Sequence, residues 1–323
     1  MGLLTALILT IPCTAPSQNY SSFISGIPLE FAVNFSCPVC ETPFFLQDIS
    51  IRENKIIGGK LECSCGYKAT IEDGIILTPE KNSYYTSNDF YIMHYREIPP
   101  KDSDFVFFEY MKDLSPEVIN LMHSAYKYID MILSSYDFNR KVIFVPDLAS
   151  HFLYKFIKRP YFENAYIITC GFSKQNILSM KSHIDAIAPK AKILYIANTV
   201  HELPVRKNFL DLWIDSISSY NFAFFHPFSL HEKIYPYLKP GASITGLTKY
   251  YKNNAKSISN IRNGYPNCIR NHGLLSTFEM TLSSLNYKLD FNELIGKTAT
   301  PGPYYEYHAK GEEHYYTVYG AKK

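Results

Sequence analysis

The chain has 323 residues, of which 46% are hydrophobic and 19% are charged, and its net charge is +2. This length and composition are those of a globular protein with a substantial core, and they exclude a disordered or fibrous chain. The near balance of charge excludes a protein covered in basic surface, although it leaves room for a local basic patch.

The first predicted element is an apolar run from Leu3 to Cys13. No positively charged segment precedes it, as one would in a secretory signal, and the run is too short to span a bilayer. We expect a strand or helix docked on the body of the protein, with a targeting segment as the alternative. No later stretch is apolar and long enough for a membrane helix, so we expect no membrane partner.

The sequence predicts four sections: a leader over 1–30, a cysteine-bearing module over 31–80, a helical connector over 81–138 and an α/β domain over 139–323. In the connector, Ser115 is the expected N-cap of a helix and Pro116 its first residue. Apolar residues then recur at helical spacing, at Val118, Ile119, Met122, Ala125, Ile129, Ile132 and Leu133.

Strands and helices alternate beyond Lys141, which favours an α/β fold with a doubly wound, mainly parallel sheet. Two alternating runs near the end, 304–311 and 314–323, predict an antiparallel hairpin. The helices are expected at 151–157, 173–188 with Ser173 as its cap, and 229–238. The parallel strands are expected at 141–145, 165–170, 192–198, 209–216 and 242–251.

Four of the seven cysteines form two close pairs, Cys37 with Cys40 and Cys63 with Cys65, separated by 22 residues. Four thiolates from two turns can surround one tetrahedral zinc ion, and a turn at Gly58–Gly59 would separate two strands between the pairs. This pattern favours a structural zinc ribbon in a reducing compartment over a disulfide framework, so we expect a cytoplasmic protein. The alternative is four buried or oxidised cysteines without a metal.

The stretch CPVCETPFFL…GGKLECSCGYKATIEDGII, followed by an α/β domain, resembles class I S-adenosylmethionine-dependent methyltransferases with an N-terminal zinc ribbon. These include ribosomal RNA guanine methyltransferases, and the stretch is also similar to the methyltransferase-like domains of MerR-type regulators. ILYIANTVHELPVRKNFLDLWIDS looks like the family's third and fourth strands, and IYPYLKPGASITG like its helix-to-strand turn. The resemblance covers about residues 35–323 and implies a Rossmann-like fold with S-adenosylmethionine as the cofactor.

The resemblance also implies where the cofactor would bind, at the turns that follow the parallel strands. The first turn, PDLASH, lacks the family's glycines, and the end of the second strand lacks its acidic residue for the ribose hydroxyls. Two interpretations stay open, a site that still binds the cofactor and a relic that no longer does. The implied cofactor-binding residues are Asp147, Ala149, Ser150, Cys170, Gly171, Asn198, Thr199 and Ser216.

Candidate catalytic residues follow the first and fourth strands. Asp215 could orient or deprotonate a methyl acceptor, with a helix cap or solvated turn residue as the alternative. His151 could act as a base in a remodelled pocket, or it could cap the helix after it. Ser218, Tyr220 and Asn221 are further expected to face the substrate. His226 and His231 do not form a helical metal pair, and we expect both on the surface.

Six lysines or arginines and no acidic residue lie between Lys239 and Arg270, at 239, 249, 252, 256, 262 and 270. With interleaved tyrosines they predict either an anionic or nucleic-acid partner or a solvated flank. We expect S-adenosylmethionine-dependent methyl transfer to a small molecule, a peptide or RNA. The alternative is a catalytically inactive methyltransferase-like module that binds a ligand or a partner protein in regulation. The sequence leaves the oligomeric state open.

Overall fold

The computed structural model describes residues 26–79, 114–146, 152–301 and 308–323. The apolar run from Leu3 to Cys13 therefore lies outside the described residues. Within them, twelve strands form one sheet. The strands are β1 (Ile27–Pro28), β2 (Phe45–Arg52), β3 (Lys55–Glu62), β4 (Lys68–Glu72), β5 (Ile75–Leu77), β6 (Val142–Phe144), β7 (Tyr166–Gly171), β8 (Lys192–Ala197), β9 (Leu210–Ser216), β10 (Leu238–Tyr251), β11 (Lys288–Thr298) and β12 (His314–Lys322).

The sheet has the order β1-β3-β4-β5-β8-β7-β6-β9-β10-β12-β11, with β2 paired to the outer side of β3. All neighbouring strands from β5 to β10 are parallel. β12 and β11 extend the sheet antiparallel to β10. This architecture confirms the predicted Rossmann-like, mainly parallel sheet with a C-terminal antiparallel hairpin. The strands of the cysteine module join the same sheet, because β5 pairs directly with β8.

The first strand of the C-terminal hairpin differs from the prediction. The partner of β12 is β11, whereas the sequence predicted 304–311. Residues 302–307 lie outside the described residues, and 308–311 lead into a turn. β11 was not predicted, although Leu289 and Phe291 alternate with Asp290 and Asn292; it is an edge strand whose side chains are mostly exposed.

Seven α-helices flank the sheet in the described residues. The longest, which has 18 residues, begins as predicted, because the Ser115 side chain accepts a hydrogen bond from the Val118 amide and Pro116 is the first residue. No helix among the described residues combines the length and apolar character that a bilayer span requires. The helices are α1 (Pro116–Leu133), α2 (Phe152–Phe156), α3 (Lys174–Ile187), α4 (Ser218–Phe222), α5 (Leu230–Ile234), α6 (Lys256–Gly264) and α7 (Leu275–Ser284).

Apolar side chains of the central strands alternate between two cores, one on each face of the sheet. Ile143 and Ile167 face the core that α1, α2 and α3 cover. Phe144 and Ile168 face the opposite core, to which α5, α7 and the cysteine module contribute. Strands that are buried on both faces are typical of parallel sheets, and they explain the continuous apolar runs of the sequence.

Two turns lie at other positions in the structure than the sequence predicted. The hairpin between β2 and β3 turns at Glu53 and Asn54, which have φ angles of 49° and 58°, as a type I′ turn requires. Gly58 and Gly59 instead lie within β3. The predicted helix over 229–238 ends at Ile234 and continues as one 3-10 turn, and β10 already begins at Leu238, with a register shift before Ser243 that accommodates Pro240.

Candidate functional site

Four cysteine thiols meet at one end of the cysteine module. The Sγ atoms of Cys40 and Cys63 are 3.2 Å apart, and those of Cys37 and Cys65 are 3.6 Å apart. All four Sγ atoms lie within 4.8 Å of one another. Zinc–sulfur bonds of about 2.3 Å in a tetrahedron place the sulfurs about 3.8 Å apart. These four residues are therefore close enough to bind a single metal ion.

Backbone and hydroxyl groups support the thiols. The Val39 amide donates a hydrogen bond to Cys37 Sγ, and the Thr42 hydroxyl lies 3.1 Å from the Sγ atoms of both Cys40 and Cys63. Gly66, directly after the second pair, has a φ of 91°, which a residue with a Cβ rarely adopts. Local turn geometry thus brings the two pairs to one point.

The segment after β8 holds the first cysteine turn against the sheet. The Ser36 amide donates to the Pro204 carbonyl oxygen at 3.2 Å, and the Arg206 amide donates to Asn34 at 2.9 Å. An isolated β-bridge joins Phe35 to Val205 between these two hydrogen bonds. The cysteine module is therefore docked on the α/β core and shares its apolar interior.

The carboxyl ends of β6, β7, β8 and β9 meet at one edge of the sheet, because these strands are parallel. In open α/β sheets, ligands bind at this edge, where the strand order reverses. Asp147, Ala149, Ser150 and the catalytic candidate His151 belong to the turn after β6, which lies outside the described residues. The structure brings the other implied cofactor residues to this edge, namely Cys170, Gly171, Asn198, Thr199 and Ser216.

Several of these residues already have partners. Asn198, with a φ of 67°, donates through its amide nitrogen to the Thr78 carbonyl oxygen at 3.0 Å. The Thr199 hydroxyl accepts hydrogen bonds from the next turn, and the fully buried Ser216 donates to the Tyr126 hydroxyl at 3.0 Å. Cys170 is fully buried in the core beside Gly171. Thr199 and Ser216 therefore have structural contacts.

Part of this edge fits S-adenosylmethionine. The Asn198 amide nitrogen donates to Thr78, which leaves the amide oxygen as the atom that could accept a hydrogen bond from an adenine amino group. The hydroxyl of Thr169, near the end of β7, is buried and has no partner in the described part of the chain. The end of β7 offers no carboxylate to the ribose hydroxyls, because residues 169–173 are TCGFS. The fit thus covers the adenine end and lacks the family's ribose contact.

Asp215, the predicted catalytic acid or base, is fully buried near the end of β9. It accepts hydrogen bonds from the Ser219 amide at 2.8 Å, from the Tyr319 hydroxyl at 2.6 Å and from the Ser219 hydroxyl. Its Oδ2 atom is also 3.9 Å from His231 Nε2. Burial raises the pKa of Asp215, and the hydrogen bonds from Ser219 and Tyr319 oppose that shift. This geometry suits a positioning residue.

The turn after β9 is strained and reaches the end of β6. Ile217 has a φ of 61°, which is costly for a β-branched residue and is found mainly where function or packing imposes it. The next residue, Ser218, donates through its hydroxyl to the Pro146 carbonyl oxygen at 3.1 Å. The turn therefore contacts the expected cofactor edge on one side and leads into α4 on the other.

A cavity of about 50 Å³ lies past the carboxyl ends of β9 and β10. Its walls include Ser219 and Tyr220 from α4, His231 from α5, Lys249 from β10 and His272 from the segment before α7. Lys249 is only 3% exposed, and its Nζ atom lies 4.5 Å from the centre of the Tyr220 ring. The His272 ring packs on the same tyrosine, with centroids 4.4 Å apart.

Of the residues named in the cavity wall, only Tyr220 was predicted from the sequence to face the substrate. His231, expected on the surface, is 2% exposed, and His226 is buried between Phe222 and Phe228. Both expectations were wrong, although phenylalanines flank His226 in the sequence stretch FAFFHPF and two of them, Phe222 and Phe228, stack on its ring. Of the six cations between Lys239 and Arg270, Lys249 is buried and Lys239 pairs with Asp211, whereas 252, 256, 262 and 270 are exposed.

Burial dominates the electrostatics of the cavity. It lowers the pKa of Lys249 well below its ordinary range. It also lowers the pKa of His231 to about 3 and that of His272 to about 3, to which the nearby Lys249 adds for His272. Both imidazoles are therefore neutral near pH 7, and the cavity disfavours positive charge unless a ligand compensates it.

No family model matches the sequence, and no curated protein matches it. Solved structures are similar at the level of fold. Geranyl diphosphate C-methyltransferase from Streptomyces coelicolor A3(2), in complex with Mg²⁺, geranyl-S-thiolodiphosphate and S-adenosyl-L-homocysteine, matches with a TM-score of 0.52 and 11% identity over 76% of this chain and 99% of that chain. The same enzyme with geranyl diphosphate gives a TM-score of 0.51 and 10% identity, over 75% and 98% of the two chains. The chain thus has the fold of the class I methyltransferases.

Proposed function

We propose that the protein is an S-adenosylmethionine-dependent methyltransferase. One observation carries this proposal: the turn after β9 connects the carboxyl edge of the parallel strands with the cavity past β10. Ser218 contacts the end of β6, next to the edge that holds Gly171 and Asn198, while Ser219 and Tyr220 line the cavity. The edge is where the fold would bind the cofactor, and the cavity beside it suits a methyl acceptor.

S-adenosylmethionine, when bound, supplies an activated methyl group, and the transfer depends mainly on alignment of the acceptor. Asn198 would accept a hydrogen bond from the adenine amino group, and Asp215 would fix Ser219 at the cavity wall. In the first turn, the predicted cofactor-binding residues remain Asp147, Ala149 and Ser150, and the predicted catalytic residue remains His151. At the other strand ends, cofactor binding remains a prediction for Cys170, Gly171, Thr199 and Ser216.

Among the acceptor classes, a small molecule is favoured over a peptide or RNA. The cavity of about 50 Å³ admits one small group and not an extended chain. The similar Streptomyces enzyme also binds a small molecule, geranyl diphosphate, as its structure describes. The exposed cations at 252, 256, 262 and 270 keep RNA as the second acceptor class.

We further propose that Cys37, Cys40, Cys63 and Cys65 bind a structural zinc ion. Four thiolates would fill all four positions of a tetrahedral zinc ion, which is typical of a closed, non-catalytic site. We also propose a cytoplasmic location and a zinc ribbon like that of the ribosomal RNA methyltransferases and MerR-type regulators. The proposed sections of the chain are 1–30, 31–80, 81–138 and 139–323.

A specific observation favours a second candidate function, a catalytically inactive methyltransferase-like module that binds a ligand or a partner protein. The end of β7 lacks a ribose-binding carboxylate, and Asn198 already uses its amide nitrogen on Thr78. A domain that no longer binds the cofactor tolerates both features.

Calorimetric titration of the zinc-loaded protein with S-adenosylmethionine and S-adenosylhomocysteine separates the two candidates. Asn198→Gly keeps the left-handed backbone while removing the amide, so we expect about tenfold weaker binding. Asn254→Gly is the matched control, because Asn254 has a φ of 70° and is exposed. If neither compound gives heat or a thermal shift at millimolar concentration, the chain is a binding module.

A further inference from the structure

Two polar atoms in the wall of the cavity past β9 and β10, Tyr220 Oη and His272 Nε2, have no hydrogen-bond partner within the described residues. Both side chains are more than nine-tenths buried. A Cβ built on Gly273 would lie 3.6 Å from Tyr220 Oη, which places that hydroxyl beside the residue after His272. Buried polar groups of folded proteins normally have a partner, so these two atoms indicate a polar ligand group in the cavity.

A third polar atom of the wall, Ser219 Oγ, has a fixed hydrogen-bond direction. The Ser219 hydroxyl donates to the buried Asp215 carboxylate, which also accepts from the Ser219 amide at 2.8 Å and from the Tyr319 hydroxyl at 2.6 Å. Because the serine proton is directed to this carboxylate, Ser219 Oγ can only accept a further hydrogen bond. The cavity wall thus requires a ligand group with a proton to donate.

A hydroxyl group matches these three atoms. It can donate to Ser219 and accept from Tyr220 and from His272, in the tautomer that carries its proton on Nε2. A carboxylate has no proton to donate to Ser219. An ammonium group would bring a positive charge to a place where burial already lowers the pKa values of His231 and His272 to about 3.

The size and the apolar part of the cavity distinguish an organic hydroxyl group from water. A water molecule needs about 10–15 Å³ of such a cavity, which has about 50 Å³. Ile269, Leu274 and Phe278 also line it. Carbon atoms attached to the hydroxyl group would bury apolar area against these side chains, which water cannot do. The cavity therefore fits the hydroxyl end of a small organic molecule.

We propose that this cavity binds the hydroxyl group of a small organic molecule, which donates a hydrogen bond to Ser219 and accepts hydrogen bonds from Tyr220 and His272. The assignment of this hydroxyl as the methyl-accepting group rests on the proposed methyltransferase function. Hydroxyl binding itself requires no cofactor, so the two proposals can fail separately.

The test compares three ¹³C-labelled probes that have three heavy atoms each, namely ethanol, acetonitrile and ethylammonium. NMR line broadening measures the binding of each probe to the zinc-loaded full chain. Ethanol donates and accepts hydrogen bonds, whereas acetonitrile only accepts and ethylammonium only donates. We expect saturable, roughly millimolar binding of ethanol, at least about fivefold tighter than the binding of the other two probes.

Variants assign the binding to the cavity. Tyr220→Phe removes one hydroxyl and keeps the ring, so it should fold and bind ethanol about fivefold more weakly, as should Ser219→Ala. Tyr250→Phe is the matched control and should bind ethanol like the unmodified chain. Tyr250 stacks on Tyr315 with ring centroids 5.3 Å apart, and it is not among the described residues of the cavity wall. If Ser219→Ala does not fold, Tyr220→Phe decides.

Equal ethanol binding by the unmodified chain and Tyr220→Phe would overturn the proposal and leave water as the occupant of the cavity. Acetonitrile that binds as tightly as ethanol would also overturn it, and tighter binding of ethylammonium would overturn the choice of a hydroxyl group. Binding of S-adenosylmethionine without binding of ethanol would refute the hydroxyl site alone. Ethanol binding without S-adenosylmethionine binding would refute the methyltransferase and leave the hydroxyl site standing.

Discussion

The cysteine module and the cavity past β10 both bring polar groups together, but the two regions differ in whether these groups can satisfy one another. The four thiols come from two turns within one short stretch, face one another within 4.8 Å and can share a single ion. The cavity groups come from α4, β10 and the segment before α7, and an aromatic shell surrounds them. Two of these cavity atoms, Tyr220 Oη and His272 Nε2, have no partner in the described residues.

This difference separates a closed site from an open one. A closed site contributes folding energy and offers no position to a substrate. An open site bears the cost of buried polar groups until a ligand arrives. Changes in the cysteine module should therefore lower stability, whereas some changes in the cavity should raise it and lower binding.

The largest expected effect is loss of the proposed zinc site. Cys63→Ser should lower the free energy of unfolding by more than about 4 kcal/mol, because a structural zinc site folds its own module and this module shares the core of the sheet. Metal analysis and urea denaturation, with and without a chelator, measure this effect.

Cys268→Ser is the control for the zinc prediction, because Cys268 lies outside the thiol cluster. It should bind about one zinc ion per chain, as we expect of the unmodified protein. Equal unfolding midpoints for Cys63→Ser and Cys268→Ser would refute a structural metal, and the cysteine module would then owe its fold to packing alone.

A smaller loss is expected from Asp215→Asn. The carboxylate accepts hydrogen bonds from Ser219 and Tyr319 in a fully buried position, and an amide would turn its own N–H groups toward these donors. We expect a cost of about 2–3 kcal/mol in urea denaturation. Asp48→Asn, at an exposed pair with Lys60, should leave the unfolding midpoint almost unchanged. A similar cost at both positions would remove Asp215 from its positioning role.

The two regions also show which features a sequence can predict. The spacing of the cysteines predicts that their thiols lie close together, because the two members of each pair belong to one turn. The alternation of strands and helices likewise predicts the parallel sheet. The cavity depends on Ser219, Lys249 and His272, which only the finished topology brings together. β11 was missed although Leu289 and Phe291 alternate with polar residues, because the alternation covers only part of this exposed edge strand.

A single signal for the cavity was present in the strand ASITGLTKYY. Lys249 interrupts a run whose other members are almost all buried in the structure. A lysine at such a position predicts either an edge strand or a buried charge. In the sequence, however, Lys249 also belongs to a group of six cations, and four of the other five are exposed.

The open site leads to a stabilising prediction. Burial disfavours the ammonium of Lys249, so the folded chain loses stability there at pH 7, where the unfolded chain keeps this lysine charged. Lys249→Met should remove that cost and raise the free energy of unfolding by about 1–2 kcal/mol without a ligand. Thermal denaturation in chloride buffer measures the change. A marked destabilisation would mean that the Lys249 side chain stabilises the fold.

The smallest expected effect concerns acid. Because burial lowers the pKa of His272 to about 3, the unfolded chain binds a proton there near its ordinary pKa of about 6.5 while the folded chain does not. Stability is therefore fully present above about pH 6.5 and falls as the pH drops toward 3. His272→Phe removes this proton, so between pH 6 and pH 5 the variant should lose about 1 kcal/mol less than the unmodified protein. Urea midpoints across that range measure the difference, and parallel curves would mean that His272 takes up its proton in the folded state, as it would beside a buried anion.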